Sequence, residues 1–406
     1  MAKDSLVLAI YCTMLSQTSA IVIGPPGVGK SSVIKSIADA LPIVRKTKSG
    51  KEEKEIKGGR FEAVFGSLSD PTDINGIPIV RDDGFVSPAP PAWLRRIKLA
   101  YSEVGGTPES YRDGLCAIVL FDELTNCSSA TQAALMKAGL DKVIGEESLG
   151  EGIGVVFAAN PPDQSAVGNE IALPLKNRMV FFYVDEARAH KWFDSFVMDE
   201  GKLSLPNVDP RWREYVQDEL ALVHSFLKAR PDLTIILPKT GSEQDSYPTP
   251  RSWAALARQC AVVNNSDMSE SEKEEVLSLI ASGTVGKAGF EYLTWRQNLD
   301  LPTPEQILAD PENIPIPTQL DKLFAFGNSI AYHLSKQEKM KQKEYDAALT
   351  VVARIIDMKK TDIGAQVAAR VIKIATKTKP ALKTPQAIKA LWPVLMASKG
   401  MIQGME

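Results

Sequence analysis

Residues 20–41 read AIVIGPPGVGKSSVIKSIADAL, and this stretch decides the fold. Residues 20–23 form a short apolar run typical of a buried strand. The apolar residues of 32–41 recur at helical spacing, at Val33, Ile34, Ile37 and Leu41. The intervening GPPGVGKS, residues 24–31, matches G-x-x-x-x-G-K-[ST] in full. A strand, a glycine-rich loop and a helix in this order predict a phosphate-binding loop, or P-loop, in an α/β protein.

The loop's residue types match the chemistry of phosphate binding. Its glycines allow the backbone N–H groups to turn toward phosphate oxygens, and the following helix adds the positive end of its dipole. We expect Lys30 to reach the β- and γ-phosphates of ATP, and the Ser31 hydroxyl to ligate Mg²⁺. The predicted nucleotide-binding residues are Gly24, Pro25, Pro26, Gly27, Val28, Gly29, Lys30, Ser31 and Ser32.

A second motif, LCAIVLFDELTN at residues 115–126, predicts hydrolysis rather than binding alone. Residues 117–121 are apolar without alternation, which suits a central parallel strand buried on both faces. Asp122 at the end of this strand would hold Mg²⁺ through water. Glu123 is placed to orient and polarise an attacking water. The alternative is a strand that simply ends in two solvated carboxylates.

Two further polar positions stand at strand ends. In GIGVVFAANPPD, residues 152–163, Asn160 follows a buried strand and could contact both the γ-phosphate and the attacking water; it could also be a turn former before two prolines. In LPLKNRMVFFYV, residues 173–184, Arg178 precedes a strand and points away from its own P-loop. It could complete a neighbouring subunit's site or merely cap a helix. Lys176 is a weaker candidate for the same role.

The stretch TPRSW, residues 249–253, starts a predicted helix, with Thr249 as cap and Pro250 in the first turn. Arg251 therefore lies at the positive end of the helix dipole, where a cation costs roughly 0.3–1 kcal/mol. A phosphate partner would explain this placement, and a nearby carboxylate is the alternative.

The order of these motifs resembles that of AAA+ ATPases, most closely the MoxR branch grouped with the dynein-related AAA_5 family, over roughly residues 1–300. In this resemblance Asn160 matches sensor 1, Arg178 the arginine finger and Arg251 sensor 2, on a helical lid that folds over the site. The implied fold is an α/β P-loop NTPase (AAA+) parallel-sheet core with an all-helical lid and a helical C-terminal extension. The expected domains are 1–186 for the core, 187–298 for the lid and 299–406 for the linker and extension.

The MoxR resemblance implies a ring, expected to be a hexamer, that hydrolyses ATP with Mg²⁺ to remodel, activate or mature a client protein. That client would often carry a von Willebrand factor A-type domain. Residues 68–97 look like the family's insert in the second core helix, and 142–153 like the hairpin before the sensor 1 strand; both are expected to face the pore. Trp93 could contact a client there or pack against its own core.

Composition limits the other function classes. The net charge is −3, but residues 336–406 carry +8 and residues 1–335 carry −11. A nucleic-acid motor would rely on that basic tail and on the charged segment 45–60, which we interpret as a surface loop. A monomeric P-loop switch or kinase would not need Glu123, Asn160 and Arg251 together. Because only the basic tail and segment 45–60 favour it, binding to nucleic acid is not expected; a nucleic-acid motor and, after it, a monomeric switch or kinase are the alternative hypotheses.

The cysteines and hydropathy indicate the compartment. Cys12, Cys116, Cys127 and Cys260 show no metal-type spacing and suggest reduced thiols of a cytoplasmic protein. No apolar run approaches the roughly 18 residues of a membrane span.

Overall fold

The structure is a computed structural model that describes residues 4–46, 52–112, 114–164, 169–198, 203–238, 246–335, 337 and 340–376. The strands are β1 (Ser19–Ile23), β2 (Pro42–Lys46), β3 (Glu52–Lys57), β4 (Arg60–Phe65), β5 (Ile77–Val80), β6 (Val86–Ala89), β7 (Ala117–Asp122), β8 (Val143–Ile144), β9 (Glu147–Ser148), β10 (Ile153–Ala159) and β11 (Met179–Tyr183). The helices are α1 (Ser5–Leu15), α2 (Lys30–Asp39), α3 (Pro71–Asn75), α4 (Ala92–Glu103), α5 (Ser129–Asp141), α6 (Leu173–Lys176), α7 (Glu186–Met198), α8 (Val216–Ala229), α9 (Pro250–Asn264), α10 (Glu270–Val285), α11 (Lys287–Gln297), α12 (Pro304–Ala309), α13 (Leu320–Ser335), α14 (Gln342–Asp357) and α15 (Thr361–Ala375).

A five-stranded parallel sheet in the order β11-β1-β10-β7-β4 forms the centre of the fold. β1, β7 and β10 are the inner strands, which explains their almost unbroken apolar sequences. The P-loop connects β1 to α2. Because the strands are parallel, the segments that follow β1, β7 and β10 lie at one edge of the sheet. The predicted α/β P-loop NTPase fold with further helical segments is confirmed.

The charged segment 45–60, predicted to be a surface loop, contains strands of an antiparallel hairpin, so that prediction was wrong. β2 pairs with β3, with Ile43 opposite Ile56 and Arg45 opposite Glu53. The high charge density hid the strand pattern, since a hairpin with few apolar positions gives a weak alternation signal.

The two segments expected to be insertions are both built around hairpins. Residues 68–97 contain α3, the β5–β6 hairpin and the start of α4, and residues 142–153 contain the β8–β9 hairpin. Gly145 in the β8–β9 turn donates its N–H to Asn75 Oδ1 at 3.4 Å, which joins this turn to the base of the β5–β6 hairpin.

Trp93 packs inside the protein rather than facing a client. Its side chain is buried, its ring meets Phe121 edge-on at 5.6 Å between centroids, and its Nε1 donates to Asp73 O at 3.3 Å. The packing interpretation is therefore confirmed, and the proposed client contact at Trp93 was wrong.

The chain divides into two compact units. The first contains residues 1–213 and 234–293, and the second residues 214–233 and 294–406. In the first unit α9 and α10 pack against each other and against α1, and α10 also packs on β11. Gly283 permits that contact, because a Cβ atom there would lie 2.3 Å from Phe181 O.

The second unit consists of helices around its own apolar core. α8 packs on α13, and α13 and α14 both contact α15. Its core includes Leu323, Phe326, Tyr345, Val352 and Val371. Residues from 377 onward, where part of the expected extension falls, lie outside the described residues. The predicted domain boundaries at 186 and 298 stay a prediction.

All four cysteines are free and buried. Within the described ranges, the helices are too short or too polar to cross a bilayer.

Candidate nucleotide site

The P-loop has the backbone conformation that phosphate binding requires. Gly27 and Gly29 have φ angles of 80° and 89°, which side-chain-bearing residues rarely adopt. Gly24 is needed for a different reason, since a Cβ atom there would lie 3.0 Å from both Cβ and O of Val184. The glycines therefore serve the turn and the close packing of the loop against the end of β11.

Lys30 lies at the first position of α2 and is 8% exposed. Its Nζ donates to Gly24 O at 2.8 Å, Pro25 O at 2.9 Å and Asn160 Oδ1 at 2.8 Å. Burial lowers its pKa, while the nearby Asp122 carboxylate acts in the opposite direction. The lysine is thus fixed at the mouth of the P-loop, with Asn160 as one of its acceptors.

Ser31 and Asp122, the two predicted Mg²⁺ ligands, are in contact. Ser31 Oγ donates to Asp122 Oδ2 at 2.6 Å. A hydroxyl and a carboxylate are oxygen ligands of the kind Mg²⁺ prefers, usually completed by substrate phosphates and water. A site of this type needs only one carboxylate. The described part of the chain contains no cluster of three or more metal-binding side chains, and a Mg²⁺ site of this type does not require one.

Glu123 follows β7 in a left-handed conformation, with φ of 62° and ψ of 38°. For a residue with a side chain, this conformation costs roughly 1–2 kcal/mol, and strain of this kind is common at functional sites. The Glu123 carboxylate accepts a hydrogen bond from Ser67 Oγ, and its N–H donates to Asp122 Oδ1 at 2.8 Å. Ser67 lies two residues after the end of β4, the neighbour of β7, and its hydrogen bond helps to set where this carboxylate points.

Asn160 is held at the end of β10 from two sides. Its backbone O accepts from Thr125 Oγ1 at 3.1 Å, and its side chain accepts from Lys30. The structure therefore brings Lys30, Ser31, Asp122, Glu123 and Asn160 together at one edge of the sheet.

Arg178 lies at the edge of the sheet where the parallel strands begin, opposite the edge that carries the P-loop. It precedes Met179, which pairs with Ser19 at the start of β1, whereas the P-loop follows the end of that strand. Five residues of strand separate the two levels, or about 16 Å at about 3.3 Å per residue. Arg178 Nη1 donates to Pro174 O at 2.6 Å, and its Nε is buried without an acceptor among the described residues.

Arg251 lies beside Arg178 and not over the P-loop of its own chain. Thr249, the cap of α9, donates its Oγ1–H to Asn177 Oδ1 at 3.1 Å, and both arginines line one small cavity. Burial raises the pKa of Tyr247, and the positive charges of Arg251 and then Arg178 act against that shift. The helical lid was expected to bring Arg251 to the nucleotide site. Instead, Arg251 lies about one strand length from the P-loop of its own chain, because α10 packs on β11.

Two residues of interest carried no sequence signal. Ser67 becomes visible only when the sheet order places β4 beside β7. Arg258 lies two turns after Arg251 and lines the same cavity, but a single arginine within an amphipathic helix is unremarkable in sequence. Knowledge of the sheet order would have identified the first, and knowledge of how α9 packs would have identified the second.

No protein-family model and no curated protein matches the sequence. Among solved structures, the chain is similar to a protein of Cytophaga hutchinsonii that is provisionally described as an ATPase, with 15% identity and a TM-score of 0.38 over 72% of this chain and 86% of the other. It is also similar to a full-length MCM homolog from Methanopyrus kandleri, with 14% identity and a TM-score of 0.34. That match covers 68% of this chain and 54% of the homolog, so the chain spans about half of its length. Since both TM-scores are below 0.5, the fold assignment rests on this chain's own sheet order and P-loop.

Proposed function

We propose that the protein hydrolyses ATP as an assembly of identical subunits, with each nucleotide bound by one subunit and completed by arginines of the next. The observation that supports this proposal best is the position of Arg178 and Arg251, together on one edge of the sheet while the P-loop lies on the other. Because Arg178 lies about 16 Å along the strand direction from the P-loop of its own chain, the phosphate that it acts on in this proposal belongs to another copy.

The residues of the P-loop edge have distinct roles in this proposal. Lys30 contacts the β- and γ-phosphates, and the backbone of 24–29 surrounds them. Ser31 and Asp122 would hold Mg²⁺, which neutralises charge on the phosphate oxygens when bound. Glu123 orients the attacking water and accepts its proton, and Asn160 orients the same water from the other side. The products are ADP and phosphate.

The arginines supply the remaining positive charge. An arginine provided by a neighbouring protein stabilises the charge that develops on the transferred phosphoryl group and is worth about 10³–10⁵ in rate where measured. We assign this role to Arg178, with Arg251 beside it. A ring, by analogy with the MoxR branch a hexamer, repeats the contact at every subunit boundary.

We further propose that the assembly acts on a protein client. The supporting feature is the β5–β6 hairpin, whose apolar side chains face solvent: Ile77 is 64% exposed, Val80 73% and Phe85 74%. Contiguous exposed apolar side chains mark interaction sites more often than chance. A client with a von Willebrand factor A-type domain is an expectation from the MoxR resemblance alone.

The proposed site at the subunit boundary is tested by mixing two inactive variants. Arg178→Ala should bind ATP with near-unchanged affinity and lose at least about 100-fold in turnover. Lys30→Ala should not bind ATP but still carries its arginines. Mixing them should restore measurable ATPase activity, because Lys30→Ala subunits supply Arg178 to their neighbours' sites.

Arg60→Met, which alters an arginine paired with Glu103 at 2.6 Å in the same unit, serves as the control and should keep its activity. Full activity of Arg178→Ala alone, or no recovery in any mixture, would contradict the proposal.

A further inference from the structure

Three arginines line a single cavity in the first unit. Arg178, Arg251 and Arg258 surround a space of ≈ 40 Å³ near the start of β1 and β11, with Asn177, Thr18 and Thr284 among its other walls. A cavity needs about 10–15 Å³ by this measure to hold one water, so there is room for about three waters or one phosphate group. A nucleoside would not fit.

The positions of Arg251 and Arg258 on α9 make them neighbours on one helix face. Residues 251, 255 and 258 follow the i, i+4, i+7 spacing, and all three line the cavity. Arg178 approaches from the turn before β11, which Thr249 holds against the start of α9. The three arginines therefore line the cavity from two separate elements.

Nothing among the cavity's walls balances their charge. The lining residues include no aspartate or glutamate. In the described part of the chain, Arg251 and Arg258 have no hydrogen-bond or ion-pair partner, and Arg178 donates only to a backbone carbonyl. Burial lowers the pKa of Arg258, and no carboxylate opposes that shift. Arg178 and Arg258 are half-buried, whereas Arg251 is exposed. Half-buried cations without a counter-charge are rare in proteins unless a ligand supplies one.

Unpaired donors add a second, independent indication. Arg178 Nε and Asn177 Nδ2 are both buried, and neither has an acceptor among the described residues. Buried donors are almost always paired in folded proteins. The walls are thus rich in donors and poor in acceptors, and an anion with several oxygens would satisfy them.

We infer that Arg258 is the third arginine of a phosphate-binding pocket, and that its ligand is the terminal phosphate group of a nucleotide held by a second copy of this protein. This inference rests on the proposed function, and it extends that function from two arginines to three. A phosphate group suits the pocket better than a single carboxylate, because it carries more than one negative charge to balance the three arginines. Guanidinium groups also bind phosphate oxygens through paired N–H donors.

The test uses the mixing assay with a changed donor subunit. Arg178→Ala subunits supply the nucleotide site, and the donor is either Lys30→Ala or Lys30→Ala/Arg258→Met. Methionine retains most of the side-chain volume and removes the charge. We expect the Arg258→Met donor to restore at least fivefold less ATPase activity than the Lys30→Ala donor, and an Arg258→Lys donor to give an intermediate value.

Two further measurements distinguish a contact between Arg258 and the neighbouring nucleotide from a role in assembly and from binding of free phosphate. Sedimentation velocity should show that the Arg258→Met donor assembles like the Lys30→Ala donor, and a Lys30→Ala/Arg60→Met donor should restore activity fully. Melting curves of Lys30→Ala with inorganic phosphate, against chloride at equal ionic strength, test for free phosphate as the ligand.

The outcomes are distinguishable. Equal recovery with the Arg258→Met donor would overturn the inference and leave the two-arginine site intact. Equal recovery together with an Arg258-dependent rise in melting temperature would identify free phosphate as the ligand, which also overturns it. Failure of the Lys30→Ala donor itself would overturn the site between subunits and this inference with it.

Discussion

At the scale of single residues, the site depends on side chains whose positions are fixed by neighbours that the motifs do not include. Lys30 is held by two backbone carbonyls and Asn160, and Glu123 is held by Ser67. The motif residues supply the chemistry, and these contacts determine where each group points.

Removal of the Ser67 hydroxyl should increase basal ATP hydrolysis. In Ser67→Ala the Glu123 carboxylate loses a hydrogen bond that competes with its contact to water. A bond to a charged group is worth about 1.5–3 kcal/mol, so turnover should rise by about tenfold or more, with KM for ATP nearly unchanged. Steady-state ATPase kinetics measure this. As a control, Ser69→Ala removes a nearby hydroxyl that donates to Phe65 O and should behave like wild type. A fall in the turnover of Ser67→Ala would contradict the prediction and mean that Ser67 holds Glu123 in its productive position.

Lys142 should make stability depend on pH near neutrality. Burial lowers its pKa to about 7, against opposing contributions from Glu151 and Cys116, and Arg213 lowers it further. Between pH 7 and its ordinary value of 10.5, the unfolded chain binds more protons than the folded one. The free energy of unfolding should therefore rise with pH from about 7, by at most about 1.4 kcal/mol per pH unit.

Urea unfolding from pH 6.5 to 8.5 measures this dependence. Above that range, buried thiols such as Cys12, whose pKa burial raises to about 12, act in the opposite direction. Lys142→Met should flatten the dependence, whereas Lys137→Met, at an exposed position of α5, should retain it. Parallel curves for wild type and Lys142→Met would refute the assignment.

At the scale of elements, the packing of α10 on β11 decides where Arg251 lies. α9 and α10 form a pair, and α10 can approach β11 closely because Gly283 has no side chain. Thr249 then joins the start of α9 to Asn177, beside Arg178. Two arginines 73 positions apart in the chain thereby share one cavity.

Addition of a methyl group at Gly283 should loosen this arrangement. In Gly283→Ala the new Cβ would lie 2.3 Å from Phe181 O, so α10 must move outward. Overpacking of this kind costs about 1–3 kcal/mol, which denaturant unfolding measures. Because Arg251 moves with α9, ATPase activity should also fall. As a control, Ser278→Ala on the same helix should change neither stability nor ATPase activity appreciably. Wild-type stability of Gly283→Ala would show that the contact between α10 and β11 accommodates the extra methyl group without loss of stability.

At the scale of the whole molecule, the two groups of functional residues lie on opposite edges of one sheet. A single copy therefore carries its P-loop at one edge of the sheet and its arginines at the other. Assembly is the arrangement in which both are used, and repetition of one such contact closes into a ring if the rotation between copies permits it.

Removal of the water-orienting carboxylate should stabilise the assembly. Glu123→Gln should retain ATP binding and lose at least about 100-fold in turnover, because the amide is a poor general base. With nucleotide uncleaved, the bridge between copies persists, and sedimentation velocity with ATP should show larger species than for wild type. Glu62→Gln, on the adjacent strand β4, should resemble wild type. A Glu123→Gln variant that stays monomeric with ATP bound would contradict the proposed assembly.

The sequence by itself determined the P-loop, the four strands of the central sheet that begin or end at motif residues, and the residues that gather at their ends. These features depend on local pattern: apolar runs set the strands, glycines set the loop, and parallel strands bring Lys30, Asp122, Glu123 and Asn160 to one edge. The charged hairpin at 42–57 escaped prediction because its strands have few apolar positions.

Only the tertiary structure decided which groups act together across long stretches of chain. Ser67 reaches Glu123 because β4 lies beside β7, and Arg251 lies beside Arg178 because α10 packs on β11. Neither relation has a local signal, since strand order and helix docking depend on contacts between segments far apart in sequence. The physical reason is that local periodicity fixes which face of an element is buried but not which partner buries it.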